Sequence, residues 1–372
     1  MTKARENSDY TGLAADIAAG DTAARAGRKN LIINGAMQVA QRGTTGTLNN
    51  GGSGFHSADR FYSAEEGGFT GAFTVSNDTD SPKGFSNSTK WDCTTADTSL
   101  AADDTFFMDY KPEAQDLQHL NYGTSDALQM TMSFWIKSNK TGTYVIWLYQ
   151  YDDNRHVQMQ YTINTADTWE YKTLLVPADT TGVIDNDTGA GLALRFIMGA
   201  GSTWTSGTAP TTWASLVTAN RYVGQTVNLA DSTANYMNIT GLQLETGSVA
   251  TDFEHRSYGE ELALCQRYFY QHIKGAGFIS LAMLYTTTES YGYIDFPVTM
   301  RVPPTGSAVS GTNYYVCYTG GIGPNFNGMN FGDTTTNTTR VEVTLNTSAT
   351  AGNAAMYQTG NANAGVSFDA EL

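Results

Sequence analysis

Residues 128–164 read LQMTMSFWIKSNKTGTYVIWLYQYDDNRHVQMQYTIN and carry the strongest strand signal in the chain. The first apolar side chains recur at every second position, as they do on the buried face of a β-strand, at Met130, Met132, Phe134 and Ile136. Asn139–Gly142 predicts a turn. The same spacing follows on the return strand at Val145, Trp147, Tyr149 and Tyr151. The stretch therefore predicts an antiparallel hairpin with a buried face.

Similar segments continue on both sides of this hairpin, and they predict the fold class. They are DRFYSAEEGGFTGAFTVSND (59–78), TWEYKTLLVP (168–177), GLALRFIMGAG (191–201) and YMNITGLQLETG (236–247), in which Gly241 suggests a bulge. Short strands spaced about 10–15 residues apart favour a β-sandwich or jelly roll. We expect an all-β protein with a jelly-roll domain over residues 30–255.

Composition supports this class and excludes others. Charged residues make up 15% of the 372 residues, while 40% are hydrophobic and 12% aromatic, enough for substantial cores. The net charge is -15 and no basic patch is present, which argues against nucleic-acid binding. No apolar run reaches the roughly 18 residues of a membrane span, and the N-terminus lacks a signal-peptide core. We expect folding in a cytoplasm and no membrane insertion.

The predicted jelly roll is flanked by an arm, a helix and a second β-domain. Residues 1–29 lack large apolar side chains and predict a partly helical arm that orders only against a partner. Ser257 and Glu260 have capping-box spacing, so a short linking helix is expected over 256–270. Residues 271–372 predict a second, smaller β-sandwich. The helix would pack against symmetry mates through the face formed by Leu262, Cys265 and Phe269.

Catalytic and metal-binding motifs are largely missing from the sequence. No GxSxG, HExxH or Walker motif occurs. Cys93, Cys265 and Cys317 lie far apart in the sequence, so we expect three buried free thiols. Asp152 and Asp153 are weak Ca²⁺ candidates that a hairpin turn explains equally well. A pair of carboxylates for glycoside hydrolysis stays open, since such partners meet in space rather than in sequence. We expect no enzyme activity and no cofactor beyond a structural Ca²⁺ ion.

Aromatic side chains are the better functional signal, because flat sugar faces stack on aromatic rings. Trp204, Trp213 and Tyr222 lie in a polar, glycine-rich segment where exposure is expected. Tyr151 is the fourth glycan-binding candidate, although its strand face with Trp147 and Tyr149 fits a core position better.

Several segments resemble bacteriophage tail-fibre and related virion-appendage proteins. They are NLIINGAMQVAQRGT, SFWIKSNKTGTY, DTWEYKTLLVPADTTG, LRFIMGAGS, GLQLETGSVATDFEHRSYGEELALCQRYFYQ, FPVTMRVPPT and the final FDAEL. The resemblance spans about residues 30–304. It implies a jelly roll like that of carbohydrate-binding modules, a homotrimer, and variation concentrated in 305–372. The chain departs from long fibres in lacking a heptad shaft, a knob repeat and a chaperone domain.

Together these features predict a structural virion protein of a tailed phage, a tail fibre or short appendage that recognises a host-surface glycan. It would be made in the host cytoplasm, dock on other tail or neck proteins through residues 1–29, and use its second β-domain as a trimeric tip. A non-adhesive neck, head-decoration or tail adaptor protein is the alternative. A capsule depolymerase is a third possibility, although the β-helix repeat typical of such enzymes is absent.

Overall fold

A computed structural model describes residues 29–49 and 51–372 of the protein. Apart from Lys29, the predicted arm lies outside the described residues. The chain divides into two compact units, with the boundary between Arg256 and Ser257. The helix that follows Ser257 belongs to the second unit, whereas the sequence suggested a separate linker over 256–270.

The first unit is built from short antiparallel strands. They are β1 (Thr45–Asn49), β2 (Ser53–Gly54), β3 (Tyr62–Glu66), β4 (Ala72–Asp78), β5 (Ser88–Thr95), β6 (Thr105–Tyr110), β7 (Met130–Ser138), β8 (Gly142–Gln150), β9 (Arg155–Ile163), β10 (Glu170–Val176), β11 (Leu192–Ala200), β12 (Ala214–Ser215) and β13 (Tyr236–Thr246). The helical pieces between them are α1 (Ser202–Thr205) and two 3₁₀ helices, Ala114–Leu120 and Thr218–Asn220.

These strands form two sheets around one core, which confirms the predicted β-sandwich. Sheet I has the order β1-β4-β5-β13-β7-β10, and sheet II has the order β12-β9-β8-β11-β6-β3-β2. Rings from the two sheets meet in the core: Phe73 lies 5.1 Å from Phe106, and Phe134 lies 5.4 Å from Phe196. Burying each such side chain contributes about 1.5–3 kcal/mol to folding.

Strand β7 confirms the predicted alternation, since the four apolar residues named from the sequence are all fully buried: Met130, Met132, Phe134 and Ile136. The return strand differs from the prediction in its partners and in its facing. Strand β8 does not pair with β7 to form the predicted hairpin, since it lies in sheet II between β9 and β11. Tyr144, Ile146 and Leu148 of β8 join the core, while the odd positions face the outer side of sheet II. The outer face of β8 is itself covered by other residues, so both of its faces are apolar and alternation could not separate them.

The two ends of the first unit are held together by polar contacts. The backbone N–H groups of Lys29 and Asn30 donate to the Glu254 carboxylate at 2.9 and 2.6 Å. The Arg256 guanidinium in turn donates to the carbonyls of Asn30 and Ile32 at 2.6 and 3.1 Å. The chain therefore enters and leaves the sandwich at one place, which we call the clasp.

The second unit is also a two-sheet β-structure. Its strands are β14 (Phe269–Lys274), β15 (Gly277–Leu284), β16 (Glu289–Asp295), β17 (Thr305–Ala308), β18 (Tyr315–Thr319), β19 (Asn325–Phe326), β20 (Asn330–Gly332), β21 (Thr338–Thr344), β22 (Ala354–Thr359) and β23 (Gly365–Asp369). Sheet III has the order β14-β23-β17, and sheet IV has the order β19-β18-β22-β15-β16-β21-β20. Phe331 of sheet IV lies 5.1 Å from Phe368 of sheet III, in the core of this unit.

Helix α2 (Tyr258–Gln266) begins as predicted, because the Ser257 hydroxyl accepts a 3.3 Å hydrogen bond from the N–H of Glu260. The helix is shorter than expected. Phe269 does not share a helical face with Leu262 and Cys265, since it begins β14, and Cys265 is fully buried. The trimer contact through this helix stays a prediction.

Candidate functional site

The structure places the four predicted glycan-binding residues in very different environments. Tyr222 is fully buried and Trp213 nearly so, which contradicts the exposure expected from their polar surroundings. Trp204 is half-buried, and Tyr151, just after β8, is exposed. Trp213 is held inside because its ring packs on Tyr122, with 5.8 Å between the centroids, and its Nε1 donates to the Pro177 carbonyl.

Tyr222 and Trp204 belong to a segment that covers the outer face of sheet II. Tyr222 packs edge-on against Trp147 at 5.9 Å, and its hydroxyl accepts a hydrogen bond from Arg195 at 3.1 Å. The Arg221 guanidinium lies 5.2 Å from the Trp147 ring and 5.1 Å from the Trp204 ring, which are cation–π distances. These contacts occupy the ring faces that a sugar would need.

A buried ion pair lies beneath the segment that covers the outer face of sheet II. Arg195 forms two 2.9 Å hydrogen bonds to Asp109 and lies 3.3 Å above the Phe107 ring. Burial by itself would lower the pKa of Arg195, but Asp109 and its other neighbours raise it, so the guanidinium stays charged. What remains accessible on this face is its edge, where the Tyr149 and Tyr151 rings pack 4.9 Å apart.

The acidic pair at the end of β8 holds the loop that precedes β11. The Asp152 carboxylate accepts the N–H of Asp185 at 2.9 Å, and the Asp153 carboxylate accepts the N–H of Val183 at 2.6 Å. Burial and neighbouring carboxylates raise the pKa of Asp152. Within the described residues, no group of three or more His, Cys, Asp or Glu side chains is placed to hold a metal ion. Ca²⁺ binding here stays a prediction.

A more open aromatic site lies on the outer face of sheet I. It is a cleft of about 540 Å³, which we call the aromatic cleft. Its lining residues come from four separate parts of the first unit: Phe85, Ser133, Trp135, Tyr171, Gly241, Ala250, Thr251, Asp252, Phe253 and His255. A volume of this size, lined by aromatic rings with polar groups among them, lies in the range of small-molecule sites.

Trp135 and Tyr171 form one side of the aromatic cleft. They are direct cross-strand partners on β7 and β10, and their ring centroids lie 5.3 Å apart. Tyr171 is 45% exposed and Trp135 is half-buried. Because strand pairing sets both backbones, the two rings form a preorganised platform at little further entropic cost.

Three more rings form the opposite side. Phe85, from the β4–β5 connection, lies 5.0 Å from Phe253 and 5.4 Å from His255, which follow β13. Phe253 and His255 are themselves 4.9 Å apart. By packing on Phe85, the Phe253 ring holds the chain that follows β13 against the sandwich.

Gly241 forms the floor between the two sides. The pairing of β13 with β7 shifts register between Thr240 and Gln243, which confirms the bulge expected at this glycine. Its φ of +65° is in the left-handed region. A Cβ at this position would lie 2.7 Å from Phe85 Cζ and 3.1 Å from Trp135 Cδ1, so only glycine leaves room for both rings.

Hydrogen-bonding groups line one part of the aromatic cleft. Thr251 is fixed by Glu245, whose carboxylate accepts the Thr251 N–H at 2.9 Å and its hydroxyl at 2.7 Å. The adjacent Asp252 side chain is exposed, and its carbonyl accepts a 2.6 Å hydrogen bond from Lys29 Nζ. Asp252 supplies the one carboxylate among the lining residues, and none of those residues is Lys or Arg.

The aromatic cleft was missed at the level of sequence, although one signal pointed to it. Since Phe134 and Ile136 face the core, Trp135 between them must face outward. Tyr171, opposite Trp135 on β10, is also outward-facing, so the two neighbouring strands together present an aromatic pair on this face. Its partners Phe85 and Phe253 lie in loops, where no periodicity indicates direction.

No protein-family model and no curated protein matches this chain. Among solved structures it is similar to the enzymatically active domain of tailspike protein 4 of bacteriophage CBA120, with 12% identity and a TM-score of 0.31. That match covers 59% of this chain and only 21% of the tailspike chain.

Carbohydrate-binding modules are also similar to it. A family 11 module of a Clostridium thermocellum cellulosomal cellulase matches with 14% identity and a TM-score of 0.27, over 56% of this chain and 98% of that module. A xylan-binding domain from Paenibacillus barcinonensis matches with 8% identity and a TM-score of 0.27, over 60% of this chain and all of that domain. Similarity this low transfers neither a ligand nor an activity to this chain.

Proposed function

We propose that this chain is a non-catalytic carbohydrate-binding protein of a tailed bacteriophage, part of a tail fibre or short appendage that contacts host-surface polysaccharide. The aromatic cleft is the observation that carries the binding function. The phage assignment rests on the sequence segments that resemble virion appendages. In this proposal the chain is made in the host cytoplasm, docks on tail or neck proteins through residues 1–29, and acts in the virion as a homotrimer.

The aromatic cleft suits a sugar because it combines flat apolar faces with fixed hydrogen-bonding groups. Trp135 and Tyr171 would stack on the C–H faces of pyranose rings, while Phe85 and Phe253 would enclose the opposite side. Thr251 and Asp252 stand where ring hydroxyls could reach them. A single site of this kind binds weakly, so several copies would supply avidity.

Charge points to the class of glycan. The lining contains Asp252 and neither Lys nor Arg, and the whole chain carries a net charge of -15. Like charges repel at such a surface, so acidic polysaccharides would be disfavoured. We infer that the ligand is a neutral polysaccharide.

The same lining argues against catalysis in the aromatic cleft. Hydrolysis of a glycosidic bond ordinarily needs two carboxyl groups about 5–10 Å apart. Asp252 has no second carboxylate beside it among the residues that line the cleft. A depolymerase activity would therefore have to lie elsewhere in the chain.

The test is glycan binding by the full-length protein. A glycan array identifies a ligand, and titration calorimetry with that oligosaccharide then compares wild type with Trp135→Ala and Tyr171→Ala. We expect each substitution to weaken binding about tenfold or more, since it removes a stacking face. Tyr258→Ala, an exposed tyrosine in the second unit, is the matched control and should bind as wild type does.

An array without any ligand, or equal affinity in all four proteins, would contradict the binding function. Cryo-electron microscopy of the intact particle tests the virion role separately. A cleft buried against other subunits would support the alternative, a non-adhesive neck, head-decoration or adaptor protein.

A further inference from the structure

The outer face of sheet IV exposes an unusual number of large apolar side chains. Leu281 is 71% exposed and Tyr293 is 62% exposed, although both lie within strands. The other apolar residues that are about half exposed or more on this face and at its β15 end are Phe278, Met283, Tyr285 and Tyr318. Soluble monomers rarely expose a contiguous apolar patch of more than a few hundred Å².

Strand register shows that these side chains are contiguous. One cross-strand row runs from Tyr318 through Met356 to Leu281. A second row pairs Met283 with Tyr291, whose ring stacks on Tyr285 at 5.2 Å. Paired residues on one face of a sheet have Cβ atoms about 5 Å apart, so the rows form a single surface across four neighbouring strands.

The opposite face of sheet IV behaves as an ordinary core. Ile279, Ile294, Val341 and Tyr357 are buried there together with Phe368 of sheet III. A sheet that is apolar on both faces needs a covering layer on each. The described residues supply that layer on the inner side, and the exposure of Leu281 and Tyr293 shows that they do not supply it on the outer side.

We propose that the outer face of sheet IV is the surface through which copies of this chain associate, each face being covered by another copy. The six most exposed side chains offer about 100 Å² each, or roughly 600 Å² in all, before the half-buried Tyr291 and Met356 are added. A stable protein–protein interface needs about 800 Å² from each partner, so the area is close to what self-association requires.

The charged edge of the face suits a second copy as well. On β21, Arg340 pairs with Glu342, and Asp333 also contacts Arg340. Both signs of charge therefore lie at one edge of the apolar surface. Because Arg340 is already paired with these carboxylates, the edge carries little net charge and does not strongly repel the same edge of a second copy.

This inference gives the proposed homo-oligomer its contact surface, and it does not depend on glycan binding. The test is the mass of the full-length protein at about 10 µM, by sedimentation or light scattering, for wild type and for the double variant Leu281→Glu/Tyr293→Glu. We expect wild type to be an oligomer and the double variant to be a monomer with a wild-type circular dichroism spectrum. Val309→Glu, a half-exposed residue elsewhere in the second unit, is the control and should keep the wild-type mass.

A monomeric wild type, or a double variant that keeps the oligomer mass, overturns the proposal. Hydroxyl-radical footprinting of wild type gives a result even if the double variant does not fold. Met283 and Tyr293 should be protected by about tenfold relative to exposed Tyr171, and equal reactivity would also overturn the proposal. Loss of the oligomer with oligosaccharide affinity intact would separate this interface from the aromatic cleft.

Discussion

Arg195 and Asp109 are direct partners on neighbouring strands and form a bidentate ion pair, with both N–O distances at 2.9 Å. Their side chains are 12% and 2% exposed, so the pair is buried under the segment that carries Tyr222. Geometry of this kind fixes one arrangement of the outer face of sheet II, because any other would leave a charge without a partner.

Asp109→Ala should therefore lower the free energy of unfolding by about 3 kcal/mol, since Arg195 would lose its buried carboxylate and keep only the more exposed Glu66, 3.5 Å away. Denaturant titration measures the change. Asp92→Asn removes one member of the more exposed Lys90–Asp92 pair and is the control, with an expected loss below about 1 kcal/mol. Equal losses in the two variants would show that the buried pair contributes no more to stability than the exposed pair.

Gly241→Ala should disturb stability and binding together. A Cβ would strain a backbone at φ +65° and come within 2.7 Å of Phe85, so we expect a loss of about 1 kcal/mol or more. Because Phe85 and Trp135 must move apart, oligosaccharide affinity should also fall. Gly360→Ala, where no atom lies within 4 Å, should change neither quantity. Unaltered binding by Gly241→Ala would mean that the cleft floor is unimportant.

His156 should make stability depend on pH. Burial, with a smaller contribution from Arg221, lowers the pKa of His156 to about 4, while its Nδ1 accepts a 2.9 Å hydrogen bond from Trp147 Nε1. In the unfolded chain the imidazole titrates near 6.5, so between about pH 6.5 and 4 the unfolded state binds the extra proton. The free energy of unfolding should fall as pH falls through this range.

Denaturant titrations at pH 4.5 and 7.5 check this dependence against His156→Gln, whose amide oxygen can accept the same Trp147 bond. The free energy of unfolding should change less between the two pH values in the variant. The reason is that wild type alone takes up as much as about one extra proton on unfolding in this range. Identical pH profiles would show that His156 is not buried in its neutral form.

The three cysteines should not react with thiol reagents in the folded protein. Cys93, Cys265 and Cys317 are free and buried, and burial raises the pKa of Cys93 to about 11. Thiolate rather than thiol is the reactive form, so Ellman's reagent should label none of them rapidly until denaturant is added. Three equivalents should then react. Fast labelling of one thiol in native protein would place that cysteine at the surface.

Local patterns predicted much of the fold. Alternation in β7, the bulge at Gly241 and the cap at Ser257 each depend on residues close together in the chain. Such features leave a signature because a strand or a helix end needs particular side chains at fixed spacing. They were sufficient for the all-β class and for the sandwich.

The candidate site depended on contacts that no local pattern records. Tyr222 looked exposed because its neighbours in the chain are polar, yet Arg195 and Trp147, distant in sequence, bury it. The sequence also indicated the wrong set of core-facing residues in β8, because another segment covers the outer face of this strand. The aromatic cleft combines residues from 85 to 255, and only the pairing of whole strands brings them together.

The clasp determines how the first unit responds to tension applied along the chain. Because Lys29 and Asn30 are bonded to Glu254, while Arg256 bonds back to Asn30, tension between the two ends of the first unit is met first by these few contacts. Tension therefore peels the two ends apart at the clasp before it shears the two sheets. Until the clasp opens, force would pass between the two ends through these contacts and not through the sheets, so the aromatic cleft would stay folded.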